Sequence, residues 1–242
     1  MKNLLTAIIL SAFSPLLAQY SDSIHYFTGY TSTGTYNKTN DKSAYVFNNM
    51  LTLGLRKKNI ELNSANKWLY GTQDKSLTNN DLSSAWDIDL FKNISHLYYW
   101  GLLNYNANYS LKINNQLQSG IGIAYNLVDK PPSEFSISDG VLYEYNDVIL
   151  QDSTRQIYSN IRNSLRVQLK LNLTGIVSFN GNILLQNSLT THNDYMVKSD
   201  AGLAFKLRKW LNLTTALSYN KISLTKRENF FVTYGLTIER YF

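Results

Sequence analysis

The sequence predicts an all-β protein, a single twelve-stranded antiparallel transmembrane β-barrel. Three observations predict it. Apolar and polar residues alternate with a period of two along nearly the whole chain. After the first residues, no run approaches the roughly 18 apolar residues of a spanning helix. Within each segment the charges lie on the face opposite the apolar one, whereas a water-soluble sheet would carry them outward. A strand that is apolar toward lipid and polar toward a lumen shows this dyad. Strands must then do the crossing, because backbone groups in lipid need partners inside the structure.

The twelve segments follow in order. The first, His25 to Tyr36, is rich in Thr, Gly and Tyr. The second, Ala44 to Leu55, sets Tyr45, Phe47, Leu51, Leu53 and Leu55 outward and Asn48, Thr52 and Gly54 inward. The third, Ile60 to Tyr70, turns Ile60, Leu62, Trp68 and Tyr70 outward. The fourth, Leu82 to Leu90, opposes Leu82, Trp86, Ile88 and Leu90 to Ser83, Ala85, Asp87 and Asp89. The fifth, Leu97 to Ala107, opposes Leu97, Tyr99, Leu103 and Tyr105 to Asn104 and Asn106. The sixth, Gln116 to Leu127, opposes Leu117, Ile121, Ile123 and Tyr125 to Gln118, Gly120, Gly122 and Asn126.

The seventh, Phe135 to Tyr145, has Phe135, Ile137, Val141, Tyr143 and Tyr145 on one face. The eighth, Ile157 to Leu169, sets Ile161, Leu165 and Val167 against Asn160, Arg162, Arg166 and Gln168. The ninth, Leu173 to Leu185, sets Val177, Phe179 and Ile183 against Ser178, Asn180 and Asn182. The tenth, Tyr195 to Leu207, sets Val197, Leu203 and Phe205 against Lys198, Asp200, Gly202 and Lys206. The eleventh, Leu211 to Tyr219, sets Leu213 and Leu217 against Asn212, Thr214 and Ser218. The last, Phe230 to Phe242, alternates cleanly: Val232, Tyr234, Leu236, Ile238 and Phe242 against Thr233, Gly235, Thr237 and Glu239.

Between them, short connections such as Arg56 to Lys58 follow even strands, and longer ones such as Gly71 to Asp81 follow odd strands. Barrels of the outer membrane have short periplasmic turns and longer outer loops. None of the longer ones is expected to exceed about 11 residues, too few for a large plug. Tyr and Trp near strand ends suit aromatic girdles at the membrane interfaces. Asp139 breaks the pattern: strict alternation turns it outward mid-strand, where a carboxylate is costly. A bulge at the neighbouring Gly140 would instead rotate it inward, and the sequence leaves both orientations open.

Residues 1–18 read as a secretory signal, with Lys2 as the positive region, an apolar run, and a cut expected ahead of Gln19 or Tyr20. Residues 19–242 would form the barrel. The chain carries a net charge of +6, which removal of Lys2 lowers to about +5. That charge is dispersed and forms no basic run interleaved with aromatics, which argues against nucleic acid as a partner. With no cysteine, disulfides, thiolate metal sites and thiol catalysis are excluded. Apart from Pro15, the only prolines are the adjacent Pro131 and Pro132, confined to a turn as an uninterrupted ladder requires.

The inward charges are the functional lead. The eighth and tenth strands carry Arg162, Arg166, Lys198 and Lys206; the fourth carries Asp87 and Asp89, and the seventh Glu144. In a twelve-strand ring the fourth and tenth strands are opposite, so a basic wall would face an acidic one. Either water separates the walls, giving a narrow pore for small polar or charged solutes, or the side chains meet and fill the lumen. Eight strands are filled by side chains and sixteen leave a channel, so twelve does not choose. Enzyme chemistry is not expected. His25, His96 and His192 are the only histidines, and none stands in a His-x-Ser motif at a strand end. Lipid modification is therefore a distant third reading, and no cofactor or metal is expected.

The stretches WLYGTQD (Trp68 to Asp74), GIGIAYNLVD (Gly120 to Asp129) and DGVLYEYND (Asp139 to Asp147) resemble the salt-induced outer-membrane protein family, a domain of unknown function. The resemblance runs from about Tyr26 to Phe242. It departs at Leu142, where glycine is expected, and at Arg240, where an aromatic is usual. It implies a barrel in the bacterial outer membrane and no set of catalytic residues. The terminal Phe242 resembles the signal by which such barrels are handed to the barrel assembly machinery. Outer-membrane lipid and that machinery are thus the expected partners, with small polar solutes if the lumen is open.

Overall fold

The computed structural model describes residues 25–39, 42–91, 96–130, 132–150, 152–173 and 175–242. The signal segment expected at 1–18 lies outside the described residues. Twelve strands form one closed antiparallel barrel, each paired with its neighbours in sequence and the last with the first. They are β1 (Tyr26–Thr39), β2 (Lys42–Lys57), β3 (Ile60–Gln73), β4 (Ser76–Leu90), β5 (Leu97–Asn108) and β6 (Ile113–Lys130). The other half comprises β7 (Ser133–Ile149), β8 (Arg155–Asn172), β9 (Val177–Ser188), β10 (Tyr195–Arg208), β11 (Leu211–Ile222) and β12 (Arg227–Tyr241). The seam pairs Phe27 with Tyr241 through Gly34 with Tyr234. It is finished by two backbone hydrogen bonds, Tyr26 N to Phe242 O (2.8 Å) and Phe242 N to Tyr26 O (3.0 Å). Both chain ends of the barrel therefore share one rim, called here the terminal rim.

Strands of 12 to 18 residues exceed the 9–11 that a bilayer core requires. The expected contrast of short and long connections is not found. The loop expected at Gly71 to Asp81 is a two-residue hairpin, with Asp74 and Lys75 both at positive φ (50° and 66°). Such a mirror-image turn matches the twist of its strands and lets pairing continue to the tip. At the terminal rim, the connection 91–96 is as long as 189–194 at the opposite rim. Polar loop residues pair as well as apolar ones, so the ladder extends past the lipid-facing band.

The outer face carries the exposed apolar side chains, from Phe47 and Leu51 around to Leu236 and Ile238. Where the dyad lapses on that face, the polar groups pair with each other. Ser84 Oγ donates to Asn66 Oδ1 (2.7 Å), and Asn66 Nδ2 donates to Ser64 Oγ (2.9 Å). Asp139 also remains outward and exposed. The ladder is regular through it, Ile123 opposite Asp139 and Gly122 opposite Gly140, which settles its orientation without a bulge. Its carboxylate instead accepts from Asn163 Nδ2 at 2.7 Å.

Candidate functional site: the barrel lumen

The lumen is built in layers. At the rim opposite the termini, the turn 109–112 folds inward over the mouth. Its Ser110 donates through Oγ to Asp81 Oδ2 of β4 (3.0 Å) and accepts from Asn229 Nδ2 of β12 (2.9 Å). Asn108 Oδ1 fixes the turn by accepting from Leu111 N (2.8 Å). Leu111 then seats among Ile113, Val148, Met196 and Ile222, all buried inward-facing side chains from β6, β7, β10 and β11. A four-residue turn thus covers the mouth, without the large plug that the loop lengths argue against.

Beneath this apolar cap lies a polar layer. Arg162 of β8 donates through Nε to Glu144 Oε1 (2.7 Å) and through Nη2 to Asp194 Oδ2 (2.7 Å). Arg162 and Glu144 are 0% exposed. Glu144 also accepts from Gln116, Gln118 and Asn146. Asn160 Nδ2 donates to Asp194 Oδ2 at 2.9 Å. Gln118 of β6 reaches Gln186 of β9, with Nε2 2.9 Å from Oε1. The guanidinium is held by two carboxylates, as a charge withdrawn from water requires.

The third layer is organised by Trp100 of β5. Its indole lies against the inner wall at Gly122 and Gly140, where an added Cβ would come within 2.5 Å of the ring at either position. The indole Nε1 donates to Ile123 O (3.1 Å). Tyr98, Leu102, Ala124 and Leu142 complete an apolar cluster around it. Arg166 of β8 stands with its guanidinium 5.6 Å from the Trp100 ring. The same guanidinium reaches Asp87 of β4, with Nη1 3.2 Å from Oδ1. Toward the terminal rim, inward-phase residues are open to solvent again: Asn180 of β9 and Asp200 of β10 are exposed.

Of the residues singled out in the sequence, Arg162 and Glu144 come together in the buried layer, and Arg166 with Asp87 in the next. Lys198, Lys206 and Asp89 are half-buried on the inward phase of β10 and β4. The basic and acidic walls are not held apart by water across the lumen: Glu144 lies on the strand beside Arg162, and Asp87 meets Arg166. Sequence reasoning missed Asp194, which reaches the lumen from the connection 189–194, and Trp100 and Leu111, whose apolar side chains point inward. The signal for Trp100 was available, since Tyr98, Trp100 and Leu102 repeat with period two on the face expected to be polar. His96, one of the three histidines, has Nδ1 3.1 Å from the Asn126 carbonyl.

The chain belongs to the family described as protein of unknown function DUF481, which matches residues 32–237. No curated protein matches the chain. Among solved structures it is similar to the NanC porin, at 8% identity over 88% of this chain and 98% of that one, with a TM-score of 0.54. It is also similar to the translocator domain of the autotransporter NalP from Neisseria meningitidis, at 11% identity over 92% and 90% of the two chains and a TM-score of 0.51. An outer membrane channel from Pseudomonas putida F1 matches at 11% identity over 93% and 97%, also with a TM-score of 0.51. These likenesses are to the fold, that of outer-membrane barrels.

Proposed function

We propose that the chain is a barrel of the bacterial outer membrane that acts as a narrow pore for small polar or charged solutes, here closed at the mouth opposite its termini. One observation carries the reading: the layer beneath the apolar cap is made of ion pairs and amides. A permanently solid core is as stable or more so with apolar residues of the same volume. Charged groups, by contrast, can part into water and leave a wet path. Asn180 and Asp200 form a solvated approach to that layer from the terminal rim. A porin and a channel among the proteins of the same fold agree with this. The test is single-channel conductance of the full chain in planar bilayers. Small, flickering openings support the pore; a well-folded barrel that never conducts overturns it.

The second reading is a structural or stress-related barrel with a permanently filled lumen. The complete burial of Arg162 and Glu144 favours it, and the resemblance to the salt-induced family suits it. Lipid modification stays a distant third, with no catalytic residues assigned. A lipid hydrolysis assay tests it directly.

A further inference from the structure

We propose that the terminal rim is a docking ring for the phosphates of anionic phospholipids in the leaflet it meets. At this rim four basic residues stand on the lipid-facing phase, and the carboxylates do not share it. Lys57 follows Leu53 and Leu55 on the lipid-facing phase of β2, and Arg240 follows Leu236 and Ile238 on that of β12. Lys130 lies opposite Ser133, two positions beyond the Val128 and Phe135 pair and on the same face, and Arg208 lies opposite Leu211. All four are exposed. The carboxylates of the same rim take the lumenal phase. Glu61 is buried against Arg56, with Oε2 2.6 Å from Nη2. Asp129 and Glu134 lie opposite each other, and Glu239 lies opposite Gly29.

The other rim differs. There two lipid-facing basic residues are matched by carboxylates: Arg155 with Asp147 at 2.7 Å, and Lys221 with Glu228 at 3.9 Å. At the terminal rim the basic residues that meet lipid stand on strands spaced around the barrel, with no carboxylate on their phase among the described residues. Exposed aromatics set its depth. Tyr26, Phe91, Trp210 and Phe242 lie at this rim, and such side chains settle at headgroup level. The Arg240 guanidinium stands 6.0 Å from the Phe242 ring, close to the plane where phosphates lie. Arginine forks match phosphate oxygens, and basic residues beside a membrane attract anionic lipid. This inference stands whether or not the lumen conducts.

The test places the full barrel in phosphatidylcholine vesicles doped with spin-labelled phosphatidylglycerol or spin-labelled phosphatidylcholine. The motionally restricted fraction gives their relative association. Phosphatidylglycerol should be favoured by about threefold or more at low salt, falling toward equality in roughly 1 M NaCl. Combining Lys57→Gln, Lys130→Gln, Arg208→Gln and Arg240→Gln should abolish the preference, and Lys221→Gln at the other rim should not change it. Equal association of the two lipids at low salt overturns the proposal. So does a preference that survives high salt, or one lost on Lys221→Gln. The salt series on the unsubstituted chain decides the matter if the fourfold variant does not fold.

Discussion

Arg166 and Asp87 meet across the lumen: both terminal guanidinium nitrogens lie 3.2 Å from one carboxylate oxygen. Four ladder steps separate their strands around the ring, so the contact spans the barrel interior. The pair is partly solvated, with side-chain exposures of 17% and 28%. Its net energy is therefore small, about 0.5–1 kcal/mol. Asp87→Asn and Arg166→Gln should each lower the unfolding midpoint slightly, and the double variant should be less destabilised than the sum. Chemical denaturation in detergent reads this coupling. Fully additive effects would show that the two side chains do not touch in solution. In a conducting protein the double variant should also raise conductance, because it removes a bridge without adding bulk.

Arg162 is a different case, because it and both its carboxylates are buried. Arg162→Met removes the guanidinium that bonds to both Glu144 and Asp194. A buried pair broken on one side costs about 3–5 kcal/mol. Denaturant midpoints should fall accordingly, and heat-modifiability should be lost at lower temperature. Combining Arg162→Met with Glu144→Gln and Asp194→Asn should restore much of the loss, since no uncompensated charge is left. If the triple variant is no better than the single one, packing and not charge dominates this layer.

The closure at Phe242 concerns assembly. Its backbone forms both terminal hydrogen bonds to Tyr26, and its ring stacks on the Tyr26 ring with centroids 5.9 Å apart. Deleting it therefore opens the seam as well as removing an aromatic terminus. Phe242→Ala keeps the backbone bonds and isolates the side chain. We expect Phe242→Ala to reduce the yield of membrane-assembled barrel and Phe242→Tyr to retain it, measured by outer-membrane fractionation. Equal yields for all three chains would show that the terminal ring plays no part in delivery to the membrane.

The barrel was legible in the sequence because each strand reports its own two faces. Val232, Leu236 and Ile238 needed no knowledge of the partner strand to be placed outward. The filling of the lumen was not legible, because it depends on which inward residues share a height across the ring. Arg166 and Asp87 are 79 positions apart in sequence, and only the ladder registers bring them level. The expectation of long outer loops failed for a related reason. Asn and Thr near the tips read as loop residues, yet their backbones continue the ladder, as at Ser76 to Asn80. Asp139 shows the converse: of the two orientations that the sequence leaves open, the ladder takes the one given by strict alternation, without a bulge.

The glycines under Trp100 make the inner wall testable. Gly122 and Gly140 sit opposite each other in the β6–β7 ladder and lend the indole its flat seat. Gly140→Val should force the ring off the wall, at a cost of about 1–3 kcal/mol of overpacking. Trp100→Ala in the same chain should recover part of the loss by vacating the space. A Gly140→Val barrel as stable as the parent would mean that the indole is not packed there.

The mouth opposite the termini gives the sharpest test of a closed pore. Leu111 is 3% exposed and lies against Val148, Met196 and Ile222, so the turn that carries it is held down by apolar contact as well as by Ser110. Leu111→Asp places a carboxylate among those apolar side chains, where burial disfavours its charge. The turn can relieve this by swinging outward into water, because it is only four residues long and lies at the rim. The strands beneath it keep their ladders, so the barrel should still assemble and remain heat-modifiable. Conductance in planar bilayers should then rise by about tenfold or more, since about 1.4 kcal/mol of lost closure shifts an open–closed balance that far. If Leu111→Asp folds and conducts no more than the parent, the turn is not what limits passage, and the obstruction lies in the Arg162 layer below. Adding Arg162→Met, Glu144→Gln and Asp194→Asn to that background then separates the two readings. A barrel still silent with both layers disrupted has a lumen that is structural.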